Sequence, residues 1–121
     1  MVLRAPDEPP LVLDLGTGLR FYGLSEDTPS PFEGIALVSH LHWDHVQGIP
    51  FFTPLNRFGA RMEIVGPRQA SGDLAAAVRD CIRPPYFPVE LDALGAEFTF
   101  TEVWDTKLDR GTSRIRALPS P

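Results

Sequence analysis

Cysteine, histidine and lysine are all scarce in this chain, and each scarcity closes off a class of protein. Cys81 is the sole cysteine among 121 residues, so the internal disulfide framework that staples small secreted domains is excluded. No apolar run approaches the roughly 18 residues that cross a bilayer. The start of the chain also lacks a charged flank, an apolar segment and a small-residue cleavage site in succession. The chain therefore reads as soluble and cytoplasmic, with no membrane partner. Only Lys107 among eleven basic residues is lysine, and the net charge is −5. That balance disfavours non-specific binding to nucleic acid by phosphate neutralisation, though it leaves room for a local basic patch. Thirteen prolines fix φ and remove backbone donors, which argues for short elements and long connections.

What is present is an ordinary globular composition, 43% hydrophobic and 22% charged, enough to build one core over a single domain spanning 1–121. Residues 1–10 are polar and proline-rich and read as a loop or frayed start. Leu11 to Leu15 reads as a buried strand broken by Gly16-Thr17-Gly18, and Leu19 to Leu24 as a short helix or strand. Ser25 to Glu33 reads as a surface loop. Ile35 to Val38 is a second buried strand. Arg61 to Val65 alternates and is stopped by Gly66-Pro67. Ser71 is placed to cap a helix whose apolar face is Leu74, Val78, Cys81 and Ile82, and Pro84-Pro85 closes it. Cys81 reads as a small buried hydrophobe. Glu97 to Trp104 alternates again, Asp109-Arg110-Gly111 forms a turn, and Ser113 to Leu118 is a last strand. Strands interleaved with short helices predict an α/β fold, a mixed sheet covered by helix on at least one face.

The three histidines fall together in Ser39-His40-Leu41-His42-Trp43-Asp44-His45, directly after the Ile35 strand. Along extended backbone, side chains alternate faces, so His40 and His42 point the same way. Asp44 to Pro50 reads as one short helical turn that swings Asp44 and His45 round beside them. Burying three imidazoles and a carboxylate without partners is costly, and imidazole with carboxylate is the donor set of zinc and similar ions. Asp14 has two readings: it fixes the turn after its strand through its own backbone, or it hydrogen-bonds the far nitrogen of a metal-bound imidazole. Phe51, Phe52, Leu55 and Phe58 read as core packing beside the site, with a pocket wall as the sharper alternative.

His40-Leu41-His42-Trp43-Asp44-His45 followed by Val46-Gln47-Gly48-Ile49-Pro50 resembles the signature of the metallo-β-lactamase-fold hydrolases. Gly48-Ile49-Pro50, Asp14-Leu15-Gly16-Thr17-Gly18 and Tyr86-Phe87-Pro88-Val89 are similar to the ribonuclease Z-like and phosphodiesterase-like branches. The resemblance implies an αβ/βα sandwich, of which this chain covers roughly the first half. It implies two divalent metal ions, zinc first and manganese or iron as alternatives. His40 and His42 would hold one metal, and Asp44 and His45 the other, with Asp44 also serving catalysis. A bridging water would attack the phosphorus of a phosphodiester, or another small ester.

No histidine follows His45, where the resembled family supplies further ligands. Each metal is left with about two donors, while catalytic sites take three. Asp105 and Asp109 are reserve candidates, with surface carboxylates as their default role. Two functions follow. In the first, the chain is part of a metal-dependent hydrolase, inactive in isolation, whose remaining ligands come from absent sequence, a complementary chain or a homo-oligomer. In the second, it is a truncated or degenerate non-catalytic module acting by association, and an uncovered sandwich face would favour that association.

Overall fold

The computed structural model describes residues 1–120; Pro121, the last residue of the expected domain, lies outside the described residues. The protein is α/β. Its elements in chain order are β1 (Val2–Leu3), β2 (Leu11–Leu13), α1 (Gly18–Gly23), β3 (Glu33–Leu37), β4 (Arg61–Pro67), α2 (Leu74–Cys81), β5 (Glu97–Val103), β6 (Lys107–Arg110) and β7 (Ser113–Arg116). Three short 3-10 turns, Trp43–His45, Ile49–Phe51 and Thr53–Asn56, fill the link between β3 and β4. The five-stranded sheet runs β1-β2-β3-β4-β5; β1 is antiparallel to β2 and the remaining pairs are parallel. β6 and β7 form a separate antiparallel hairpin.

Parallel strands in sequential order need crossovers, and crossovers of one hand put every connection on one face of the sheet. The core follows that rule. Val12, Ala36 and Ile64 lie in register across β2, β3 and β4 and continue to Phe100 of β5. They share one buried cluster with Leu19, Ile49, Phe52, Leu55, Leu74, Val78 and Ile82 from the connections. Leu74 and Val78 of α2 and Ile82 just after it are fully buried, so the expected apolar stripe packs onto the sheet. Cys81 sits at its half-buried edge and donates its thiol to the Ala77 carbonyl at 3.3 Å. Desolvation, with Asp80 beside it, pushes that thiol's pKa up.

Several boundaries differ from expectation for local reasons. The cap of α2 is Asp73, not Ser71: its carboxylate accepts from the Ala76 N–H at 2.7 Å, and Glu102 Oε1 accepts from the Leu74 N–H at 2.9 Å. Those two acids satisfy donors that the first helical turn leaves open. The first residues are not wholly frayed, because Val2 and Leu3 pair with Val12 and Leu11 and close the sheet's edge. Gly66 and Pro67 belong to β4, paired with Glu102 and Val103, rather than stopping it. Asp109 and Arg110 lie in β6, and the turn moves to residues 111–112 with Gly111 at φ +59. Leu19 to Gly23 is helix, and β2 ends at Leu13 because Asp14 takes φ +58, a left-handed conformation that no strand continues.

Candidate metal centre

The carboxyl ends of the parallel strands gather the chemically interesting residues, as open α/β sheets tend to do. Asp14 follows β2, and Ser39 to His45 follow β3. Beyond Leu37 the backbone is irregular rather than extended, so strand alternation does not set the histidines as expected. They still converge: the His40 and His42 rings lie 4.5 Å apart edge to face, and His40 and His45 lie 4.1 Å apart.

One carboxylate organises two of these rings. His45 Nδ1 is 3.0 Å from Asp14 Oδ2. A carboxylate only accepts, so Nδ1 is the donor of this contact. Asp14 Oδ1 accepts from both the Ser39 N–H and the Ser39 hydroxyl at 3.0 Å, and Ser39 Oγ sits 3.0 Å from His40 Nδ1. Desolvation works to raise the Asp14 pKa. The Ser39 backbone, His45 and the Ser39 hydroxyl outweigh it and hold the carboxyl below the usual carboxylate range. The Asp14 backbone takes the left-handed conformation that ends the strand, and its side chain reaches Ser39 and the His45 imidazole rather than the backbone of its own turn.

Two glycines make the arrangement possible. Leu15 N–H donates to the His45 carbonyl and Gly48 N–H to the Leu15 carbonyl, both at 2.8 Å, so the turn after β2 interlocks with the histidine segment. A Cβ on Gly16 would lie 2.7 Å from the Asp44 carbonyl oxygen, and one on Gly48 would run into the Gly16 carbonyl. These are close backbone approaches, a reason for glycine that spacing alone does not reveal.

The donor set has the chemistry of a divalent site. The Nδ1 atoms of His45 and His40 are held by the Asp14 carboxylate and the Ser39 hydroxyl, as imidazole ligands often are in metal sites, and the exposed Asp44 has its Oδ2 3.4 Å from His45 Nε2. It is a partial set. Among the described residues, no three His, Cys, Asp or Glu side chains close on one point as a finished site. Asp105 lines a cavity of about 460 Å³ together with Ser39 and Trp104, so it faces the neighbourhood of the motif without touching the imidazoles. Asp109 lies in β6 and is exposed. The aromatic stretch divides: Phe52 and Leu55 are core, whereas Phe51 and Phe58 are exposed. The supporting role of Ser39 was not foreseen, although serine directly before the first histidine is its visible signal.

No family model matches the chain. A stretch of 49 residues, 40% of the chain, is 47% identical to the uncharacterized protein ML1173 of Mycobacterium leprae (strain TN). The aligned stretch covers 16% of that protein's length. No helix among the described residues is long and apolar enough to cross a membrane.

Proposed function

We propose that this chain carries part of the metal centre of a cytoplasmic, metal-dependent hydrolase of the metallo-β-lactamase-fold type, acting on phosphodiesters. The observation that carries this reading is the Asp14 carboxylate, which contacts His45 directly and His40 through Ser39, with the His42 ring packed against His40. Metal-ligating histidines are almost always held in this way through the nitrogen that does not bind the metal. His40 and His42 would hold one divalent ion, and Asp44 and His45 a second. Zinc, manganese or iron held there supplies Lewis acidity, activating water near neutral pH and neutralising charge on phosphoryl oxygens. The chain's own residues hold the rings in register, and Asp44 presents an exposed carboxylate at the open side. Catalytic sites use three protein donors per metal, so the further donors come from polypeptide beyond these residues or from a second chain.

A second reading is a non-catalytic module that acts by association; the unclosed donor set favours it. Elemental analysis of zinc-loaded protein separates the two. About two metals per chain, falling sharply in His42→Ala, supports the hydrolase reading. Metal content unchanged in His42→Ala sinks the ligand assignment, and content near zero in the parent marks this chain as an incomplete half-site.

A further inference from the structure

The two edges of the central sheet are guarded unequally. β1, at one edge, is two residues long. β5, at the other, runs for seven residues in unbroken register with β4, from Glu97 opposite Arg61 to Val103 opposite Pro67, and carries no proline. A long, regular, open edge is a template for another strand, and folded proteins usually blunt it with charge, proline or a bulge. The charges along β5 are already engaged. Glu97 accepts from Arg61 Nε at 3.3 Å, and Glu102 from the Leu74 N–H at 2.9 Å.

The ladder fixes which backbone groups are free. The Glu97 N–H donates to the Ala60 carbonyl at 2.9 Å, so Glu97, Thr99, Thr101 and Val103 turn their backbone groups toward β4. The alternate residues Phe98, Phe100 and Glu102 turn theirs outward. None of these outward groups has a backbone partner among the described residues. The Phe98 and Phe100 side chains are only half-buried, so apolar surface lies beside the free groups.

We propose that β5 pairs antiparallel with β5 of a second copy of this chain, about a two-fold axis at Phe100. That axis sets Phe100 opposite Phe100 and Phe98 opposite Glu102, so every outward N–H and C=O finds a partner. On the other face of the sheet Thr99 meets Thr101 and Glu97 meets Val103. Threonine pairs and aromatic pairs are favourable cross-strand neighbours, and no carboxylate faces another. The neighbouring registers are poorer. An axis at Thr99 puts Glu102 opposite Ala96, whose N–H is already given to the Leu94 carbonyl. An axis at Thr101 sets Glu97 against Asp105, and one at Glu102 sets two carboxylates face to face. The Arg79 guanidinium lies 5.2 Å from the Phe100 ring centre, so each copy presents a cation on the face where Glu102 of the other arrives. One strand pair is a small interface, which places the dimer among weak associations. The pairing is independent of the metal reading above.

Sedimentation equilibrium of the parent, from about 1 µM to about 1 mM, spans the affinities of such interfaces and should show monomer passing to dimer. Amide hydrogen exchange at the two ends of that range should show the Phe98, Phe100 and Glu102 N–H groups gaining protection with concentration. The Thr99 and Thr101 N–H groups should be protected throughout. Val103→Glu sets a carboxylate opposite Glu97 at both ends of the paired strands and should weaken the dimer about tenfold. Val103→Lys removes the same side chain but sets the opposite charge there, and should dimerise as the parent does. A monomer at every concentration, a dimer whose newly protected amides lie elsewhere, or equal weakening by the two variants overturns the pairing.

Discussion

The two faces of the central sheet are built on different principles. On one face the register row Val12, Ala36, Ile64, Phe100 is apolar from end to end and lies under α2 and the connecting turns. On the other, Leu11 and Ile35 run into Glu63 and Thr99, and Leu13, Leu37 and Val65 run into Thr101. That second face is only partly covered by the β6–β7 hairpin and the residue after it, where Ile115 and Ala117 line a cavity of about 350 Å³ with Leu13, Leu37, Val65 and Val103. The hairpin is held by an ion pair: Arg110 donates to Glu63 Oε2 at 2.9 Å from Nε and to Oε1 at 2.6 Å from Nη2, while the Thr101 hydroxyl donates to Oε1 at 2.7 Å. One face is fastened by area and the other by a few directional contacts. Area resists single substitutions gradually, whereas a directional clasp fails when one partner is lost.

The largest test of this contrast is a pair of truncations. Ile64→Ala removes a fully buried side chain from the packed face and should cost about 2–5 kcal/mol in urea-induced unfolding. Leu13→Ala acts on a half-buried side chain of the other face and should cost about 1 kcal/mol, in proportion to the smaller area removed from water. Equal costs for the two would mean that the second face is covered in solution, and a Leu13→Ala effect that grows with protein concentration would identify the cover as another copy.

The same contrast explains what could be read in advance. The packed face was legible, because Arg61 to Val65, Glu97 to Trp104 and the Leu74, Val78, Ile82 stripe carry their periodicity locally. The α/β class, β3 and α2 followed from it, whereas the way His40, His42 and His45 converge did not, since the backbone beyond Leu37 is irregular. The Glu63–Arg110 clasp was not legible, since its partners are 47 residues apart and each alone reads as a surface charge. Nor was the interlock of Gly16 with the Asp44 carbonyl and of Gly48 with Gly16, because a close backbone approach leaves no pattern beyond the glycine itself. The second strand ended early at Asp14, whose apolar neighbours Leu13 and Leu15 look like continuing strand, while a carboxylate recruited by Ser39 and His45 holds the left-handed turn. The candidate site was thus readable in its residue types and unreadable in its support.

A smaller effect should come from opening the clasp. Glu63→Gln keeps shape but removes the charge facing Arg110, and should cost about 1–2 kcal/mol, the range for losing a charge-assisted hydrogen bond at a mostly covered position. The hydrogen bonds from Arg110 come first among the causes that hold the Glu63 carboxyl below its ordinary value, with burial opposing them. A depressed folded value means that this contribution is complete above the ordinary glutamate range and is lost as pH falls through the folded value. Parent stability should therefore drop on acidification more steeply than that of Glu63→Gln. Parallel pH profiles for the two proteins would show that the hairpin is held by its apolar contacts instead.

The smallest effect is expected from a pair of the same type on the packed side. Arg79 Nε donates to Asp92 Oδ2 at 2.8 Å, and the Arg79 guanidinium lies 5.2 Å from the Phe100 ring centre. The side chains of Arg79 and Asp92 are 44% and 60% exposed, against 29% and 20% for Arg110 and Glu63. Water screens the first pair and largely leaves the second alone, so similar distances carry different weight. Asp92→Asn should cost less than about 1 kcal/mol, and the cost should shrink further in salt, because exposed charges are screened over a Debye length of roughly 8–10 Å. Raising the salt concentration should therefore erase the difference between parent and Asp92→Asn while leaving most of the Glu63→Gln difference in place. If salt erased both equally, the clasp would be a solvated contact. The second face of the sheet would then depend on the partial apolar cover of Ile115 and Ala117, and its truncations would be expected to loosen the hairpin before they unfold the core.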